Sequence, residues 1–469
     1  MSHQTLHVDV SRHAHDVGFV RPPMAKRKAA TTPSGRATRD TEAYRELEWL
    51  FPGPLVLPGD GLAIDSKEPP QSLRSWIGEK MRNPVTQRRK TIYIVPPPLI
   101  PADSAFSAAV SSWTVPHKRL AKRSDAACNP PDPKHVRQYL EAFYHPLPVK
   151  FLPGDVRFVP WTDDEPVEPN AKKGPKAPPQ IRYLGLQIGD GVTRITTRRC
   201  PDEVYARQFS LNDLLDAAIA ALPADAYALV MLTHHDLYED DDDDFCCGRA
   251  YGSSRVSVVS AARYHPVLDD SVGIDREHMW PFSHCKAYVE QLCREGENEP
   301  EAVPRNSKRQ RTAPYPGPDT LGPVTTEKQQ QQAMADVIHA ALAAPDPQAS
   351  PAGLWLSRVA RTVAHELGHC FCLAHCSYYA CVMQGTGGIA EDLRQPPYLC
   401  LVCLAKLTRA MRDVAREVDE TQWLTERYTA LARFCETWEQ VGLFAGYRCW
   451  LERRIQALRA AASTAEAGR

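Results

Sequence analysis

The chain has 469 residues, 43% of them hydrophobic, with 56 basic and 57 acidic side chains and a formal net charge of −1. That length and apolar content suffice for one large core or two smaller ones, while the even charge balance gives no support for nucleic acid or an anionic membrane as a partner. No run of about 18 apolar residues occurs, so no transmembrane helix is expected. The opening MSHQTLHVDVSRHAHD lacks the charged and apolar regions of a secretory signal. The expected setting is therefore cytoplasmic or nuclear, where thiols stay reduced. The fourteen cysteines then read first as metal ligands, core residues or free thiols.

Residues 1–40 show little periodicity and read as a disordered tail. Within it, Lys26, Arg27 and Lys28 form a basic cluster of the nuclear-localisation kind, though a solvated tail is the simpler reading. Residues 41–133 read as a partly ordered N-terminal extension, with a strand at Thr91–Val95 and a linker-like stretch at 100–132. The main domain is placed at 134–469. It starts with helical spacing at Val136, Tyr139, Leu140 and Phe143, ended by Pro146 and Pro148, and a strand at 149–152 follows. Residues 163–179 are rich in Pro, Lys and Glu and read as an exposed loop.

Three strands are expected next, around a helix at 210–222 that Ser210 caps. Tyr183–Ile188 is the first. Ala226–Thr233 is nearly all apolar, which suits a strand buried on both faces. The third, 255–261, alternates in part, which suits a strand with one face in water and makes it the candidate edge for pairing with an extended peptide. The acidic run 239–244 lacks the spaced glycine and carbonyl pattern of a calcium loop and reads as a solvated loop. Residues 294–350 carry SKRQR, a Pro-rich run and a Gln tract. They read as a largely disordered insertion with a short helix at 333–344. A helix with Leu356, Val359, Val363 and Leu367 on its apolar positions then carries the central motif, and after Cys403 the chain reads as helical to about Ala462.

The motif is His365-Glu366-Leu367-Gly368-His369. Positions i and i+4 of a helix share a face, so the two imidazoles can reach one metal ion while Glu366 stands beside them to take a proton from activated water. His375 follows six positions after His369, and the helix must stop between them for this third imidazole to return. Three neutral histidines with one open position suit a catalytic zinc. Where the longer pattern has Gly, this chain has Cys372. A left-handed backbone there costs a non-glycine residue about 1 kcal/mol or more, and the thiol could ligate or block the metal.

Cys376, Cys381, Cys400 and Cys403 form two close groups separated by a loop, the usual arrangement for a structural zinc held by four thiolates. Such a site would anchor Cys376 and so fix its neighbour His375.

These residues, HELGH followed by His375-Cys376, then Cys381-Val382-Met383-Gln384-Gly385 and Cys400-Leu401-Val402-Cys403, resemble the archaemetzincins, a branch of the metzincin clan. The resemblance implies an α/β fold: a metzincin-like twisted mixed sheet with an active-site helix and a helical C-terminal subdomain. Met383 would form the apolar floor beneath the metal. The resemblance further implies two zinc ions per chain, one on His365, His369 and His375 and one on Cys376, Cys381, Cys400 and Cys403. Glu366 would be the general base of an aminopeptidase-like hydrolysis of a peptide or protein substrate. Weaker similarity extends the family domain over about 134–430. A second reading, which Cys372 favours, is a zinc-stabilised peptide-binding protein with little or no turnover.

Overall fold

Among the described residues, ten strands build two five-stranded sheets: β1 (Thr91–Val95), β2 (Val149–Phe151), β3 (Val156–Pro160), β4 (Tyr183–Ile188), β5 (Gly191–Arg199), β6 (Arg207–Ser210), β7 (Ala226–Thr233), β8 (Asp236–Tyr238), β9 (Gly248–Tyr251) and β10 (Val256–Ser260). The molecule is described from a computed structural model covering residues 9–37, 48, 50–102, 104–117, 128–161, 181–298, 325–344, 350–412, 414 and 419–467. The expected loop at 163–179 and the SKRQR run lie outside the described residues.

The sheet that positions the site has the order β2-β1-β7-β10-β9. Its first four strands are parallel and β9 runs antiparallel to β10. β7 is buried at every position, as its unbroken apolar sequence requires. The pleat sends alternate residues to opposite faces. Ala228, Val230 and Leu232 join the larger core, which holds the helix Pro351–Cys370 that carries the histidine motif. Leu229 and Met231 join a second core with the helix Leu211–Ala220, which Ser210 caps as expected. The second sheet, β3-β4-β5-β6-β8, covers that other face.

The structure corrects the reading of 255–261. β10 is buried at all its positions and lies between β7 and β9. Its serines are not turned to water: the Ser260 hydroxyl donates to the His235 carbonyl at 2.6 Å. The chain after the acidic run reverses through Gly252–Ser254 and a left-handed Arg255 (φ 64°), which adds β9 outside β10. The edge strand on this side of the sheet is therefore β9, with β2 at the other edge.

The boundary at 133/134 also dissolves. β1, in the expected extension, is fully buried between β2 and β7 and so belongs to the centre of the main sheet. In the stretch 100–132, a helix at Ala105–Ser112 packs Val110 into the second core.

Residues 9–37 are not a free tail. Ser11 caps the helix Arg12–Asp16, whose Ala14 packs with Phe19, Val56 and Leu62 in a small core. In the helix Met24–Ala30, Arg27 pairs with Glu48 at 2.6 Å and lies over the Tyr379 ring, and Lys28 is buried. The basic cluster is thus folded against the molecule by its ion pair and ring contact.

The expected disorder of 294–350 fails in part for a similar reason. The helix Thr325–Leu342 is longer than the short one expected and buries Met334, Val337 and Ala341. It approaches the helix Gly442–Ala467 at Gly446, where an added Cβ would meet the Val337 carbonyl at 3.3 Å and the Ala341 Cβ at 3.4 Å. Removing all of 294–350 would therefore open the core.

The expected helical C-terminal part comprises Leu401–Met411, Glu420–Glu436 and Gly442–Ala467. It closes over the helix Pro133–Phe143, with Tyr139 against Phe434 at 5.3 Å between ring centres. No helix among the described residues is long and apolar enough to cross a membrane.

Candidate metal centres and active site

The active-site helix begins at Ser350, whose hydroxyl accepts from the Gly353 amide, with Pro351 in the first turn. It is buried along nearly its whole length, and its two internal arginines are neutralised in place: Arg358 pairs with Asp269 and Arg361 with Asp392. This fixes the helix and carries His365, Glu366 and His369 to its C-terminal end.

There the chain reverses in a Schellman turn. The Leu373 amide donates to the Gly368 carbonyl at 3.1 Å and the Cys372 amide to the His369 carbonyl at 2.8 Å. The turn requires a left-handed residue, and Cys372 supplies it at φ 62°. That residue type costs about 1 kcal/mol there, but the turn is tied from outside. Gln71 donates to the Cys372 carbonyl at 3.0 Å and accepts from the Ala374 amide at 3.1 Å, and Trp76 donates to the Phe371 carbonyl at 2.8 Å.

The turn brings His375 back to the helix. One nitrogen from each of His365, His369 and His375 lies within 4.8 Å of the others. The His365 Nδ1 donates to the Val382 carbonyl at 2.6 Å and the His369 Nδ1 to the Leu373 carbonyl at 2.7 Å. Their Nε2 atoms therefore face one another, 3.0 Å apart. Two ligands of a tetrahedral zinc, each about 2.0–2.1 Å from it, stand about 3.3 Å apart, so the donor set fits. Burial holds the His365 pKa down to about 3 and that of His369 well below its usual value, which leaves both imidazoles neutral as ligands must be. Burial, reinforced by Asp392 and opposed by Arg249, pushes the Glu366 carboxyl up to about 8.

Two glycines make the geometry possible. A Cβ on Gly368 would collide with the Met383 sulfur, so the fully buried Met383 underlies the helix at the motif. A Cβ on Gly385 would sit 2.7 Å from the His375 Nδ1. The Cys372 thiol is not brought to this cluster, and the groups that act on it are Glu79, Arg82 and Lys406. The expectation that it could block the metal is thereby corrected: a left-handed residue projects its side chain off the outside of the turn.

The four cysteines meet as a second group, all buried, with their sulfurs within 4.8 Å of one another and Cys376 and Cys400 at 3.5 Å. Zinc–sulfur bonds of about 2.3 Å put tetrahedral sulfurs about 3.8 Å apart, so this set fits as well. Backbone amides already point at one sulfur: Cys400 and Met383 donate to Cys381 Sγ at 3.2 and 3.4 Å. Hydrogen bonds from the neighbouring thiols hold Cys376 well below the usual thiol range, while burial pushes Cys381 and Cys400 up. The Cys376 amide donates to the Met383 carbonyl at 2.8 Å, which ties this centre to the segment under the histidines. Among the described residues the acidic run gathers no such cluster.

The three histidines and four cysteines expected as ligands come together in these two clusters, and Glu366 stands next to His365 in the helix. What the motifs did not disclose are Gln71, Trp76 and Glu68, about 300 positions upstream. The Glu68 carboxylate lies 3.5 Å from the His375 Nδ1.

Residues 335–409 match the model of peptidase family M54. Archaemetzincin-2 of Homo sapiens is 27% identical over 247 residues, 52% of this chain and 51% of that protein. Archaemetzincin-2 of Rattus norvegicus is 23% identical over 396 residues, 84% of this chain and 77% of that one. The crystal structure of archaemetzincin from Methanopyrus kandleri aligns over 70% of this chain and 97% of its own at 17% identity, with a TM-score of 0.29, too weak to argue from. The chain spans about half the length of the human relative. The similarity carried by residues 335–409 is to a family of peptidases. Over its C-terminal part the chain is similar to the archaemetzincins.

Proposed function

We propose that this protein is a zinc-dependent metallopeptidase that hydrolyses peptide bonds at the histidine centre, with a second, structural zinc on the four cysteines. The observation that supports this most is the facing pair of Nε2 atoms on His365 and His369, with His375 returned beside them and Glu366 next in the helix. Zinc held there supplies a Lewis acid that polarises the scissile carbonyl and makes water acidic enough to be deprotonated at neutral pH. Glu366 takes that proton and later delivers it to the leaving amine. The carbonyls of Val382 and Leu373 keep His365 and His369 in the tautomer that presents Nε2.

An extended peptide would add to the edge strand β9, which packs against the active-site helix. There Gly252 lets the strand end approach the His369 carbonyl so closely that a Cβ would collide with it. An aminopeptidase-like preference and a cytoplasmic or nuclear setting follow from the family resemblance and from the sequence, whose cysteines read first as ligands, core residues or free thiols. The alternative of a binding protein without turnover rested on Cys372, and with that thiol away from the histidines no observation favours it.

The test is Glu366→Gln, which keeps shape and removes the base. Zinc stays bound, because its ligands are untouched. Hydrolysis of a mixed peptide library, read by mass spectrometry, falls by about 10²–10⁴-fold, as for a lost general base. Equal cleavage profiles for wild type and variant would mean that the hydrolysis arises elsewhere.

A further inference from the structure

Each imidazole of the histidine centre has one nitrogen for the metal and one to be held from behind. For His365 and His369 the rear nitrogen donates to a backbone carbonyl of the site's own loops at 2.6 and 2.7 Å. Among the described residues no backbone carbonyl takes that role for His375. Its Nδ1 faces the Glu68 carboxylate at 3.5 Å, with Gly385 leaving the space for the ring edge. Glu68 is not a fourth ligand: the cluster of mutually close donors consists of the three histidines. With His375 presenting Nε2 to the metal as His365 and His369 do, Glu68 meets the ring nitrogen left over, where a carboxylate fixes the tautomer and ring orientation of a metal-bound histidine and raises its basicity.

Glu68 is held there by the segment that ties down the turn. Three residues on, Gln71 grips both sides of Leu373, bonding the Cys372 carbonyl and the Ala374 amide, and it also accepts from the buried Lys406 ammonium at 2.8 Å. Trp76 is almost wholly buried and bonds the Phe371 carbonyl. On the other side of Glu68, the Gly61 amide donates to Glu391 at 2.8 Å, and the same carboxylate oxygen receives the Gly387 amide at 2.6 Å. The 61–76 segment thus crosses the loop between His369 and Gly388 and is anchored at both ends. It lies outside the matched residues 335–409 and before the family domain expected from the sequence.

We propose that Glu68 is a positioning residue that orients His375 for zinc, so that the N-terminal segment completes the catalytic metal centre. This rests on the peptidase reading of the histidine centre. Both partners are partly exposed, at 42% for His375 and 30% for Glu68. The effect therefore belongs at the low end of the roughly 10–100-fold range for such outer partners.

The experiment titrates zinc against a competing chromophoric chelator, using the full chain. The proteins are wild type, Glu68→Ala, Glu68→Gln, Asp65→Ala as a control for an exposed nearby charge, and His365→Ala/His369→Ala to isolate the cysteine centre. Glu68→Ala should weaken the histidine centre about tenfold, leave the cysteine centre unchanged, and leave the melting temperature of the zinc-free protein unchanged. Glu68→Gln keeps an oxygen acceptor and should recover most of the affinity. Asp65→Ala should bind as wild type does. Wild-type affinity in Glu68→Ala would overturn the positioning role alone, as would an equal loss in Asp65→Ala. If the double histidine variant held as much zinc as wild type, the peptidase reading would fall and the role of Glu68 with it.

Discussion

The two candidate metal centres lie a few residues apart in the chain and are built on opposite plans. The four cysteines are wholly buried, and backbone amides of their own loops bond the Cys381 sulfur. The three histidines are only partly buried, on a helix end and a turn containing the left-handed Cys372. The cysteine centre is closed and needs little from elsewhere. The histidine centre, in the peptidase reading, leaves one side open, and it is contacted by Met383 under Gly368, by the Val382 and Leu373 carbonyls, and by Gln71, Trp76 and Glu68 from a distant segment. A site that must admit substrate cannot be wrapped by its own ligands' neighbours alone.

The largest effect should come from breaking the closed centre. Changing Cys400 and Cys403 together to Ser removes two of four thiolates in the core. It should cost several kcal/mol of stability, less than the roughly 10 kcal/mol or more of small zinc peptides because this domain has its own core. Thermal melting should show a much larger drop than for His365→Ala, whose site is open. A double cysteine variant that melted with wild type would remove the structural role and with it the contrast between the centres.

The smallest effect should come from relaxing the open one. Cys372→Gly places the residue that the Schellman turn prefers and relieves about 1 kcal/mol of strain. Chemical denaturation should show a gain of that order, and peptide hydrolysis should be unchanged or slightly raised, since the thiol does not reach the histidines. A loss of stability would show that Cys372 contributes more through its packing than its backbone costs.

How far the sequence disclosed all this follows the same division. The two candidate ligand clusters were legible because their spacing is local: i and i+4 on a helix, a third histidine after one turn, two cysteine groups around a loop. The strands β1, β4 and β7 were legible because apolar runs of that length have few other uses. The edge strand was misplaced because Ser257 and Ser260 look like solvent positions, while their small hydroxyls can be buried once bonded. The N-terminal residues were read as tail or extension because burial of Ala14, Ile92 or Trp76 depends on partners far along the chain, which periodicity does not record. Glu68 and Gln71 left no signal for the same reason: a carboxylate or an amide in a polar segment looks the same whether it faces water or a histidine turn.

The proposal of two independent zinc centres, with the histidine one separable from the fold, stands or falls on the metal count of the chain. Native mass spectrometry of zinc-replete protein tests it most directly, on wild type and on His365→Ala/His369→Ala, each with a thermal melt of the same sample. Wild type should carry two zinc ions, and the double histidine variant one, with a melting temperature close to wild type. A wild type holding a single zinc, or a histidine variant that keeps both, would contradict it.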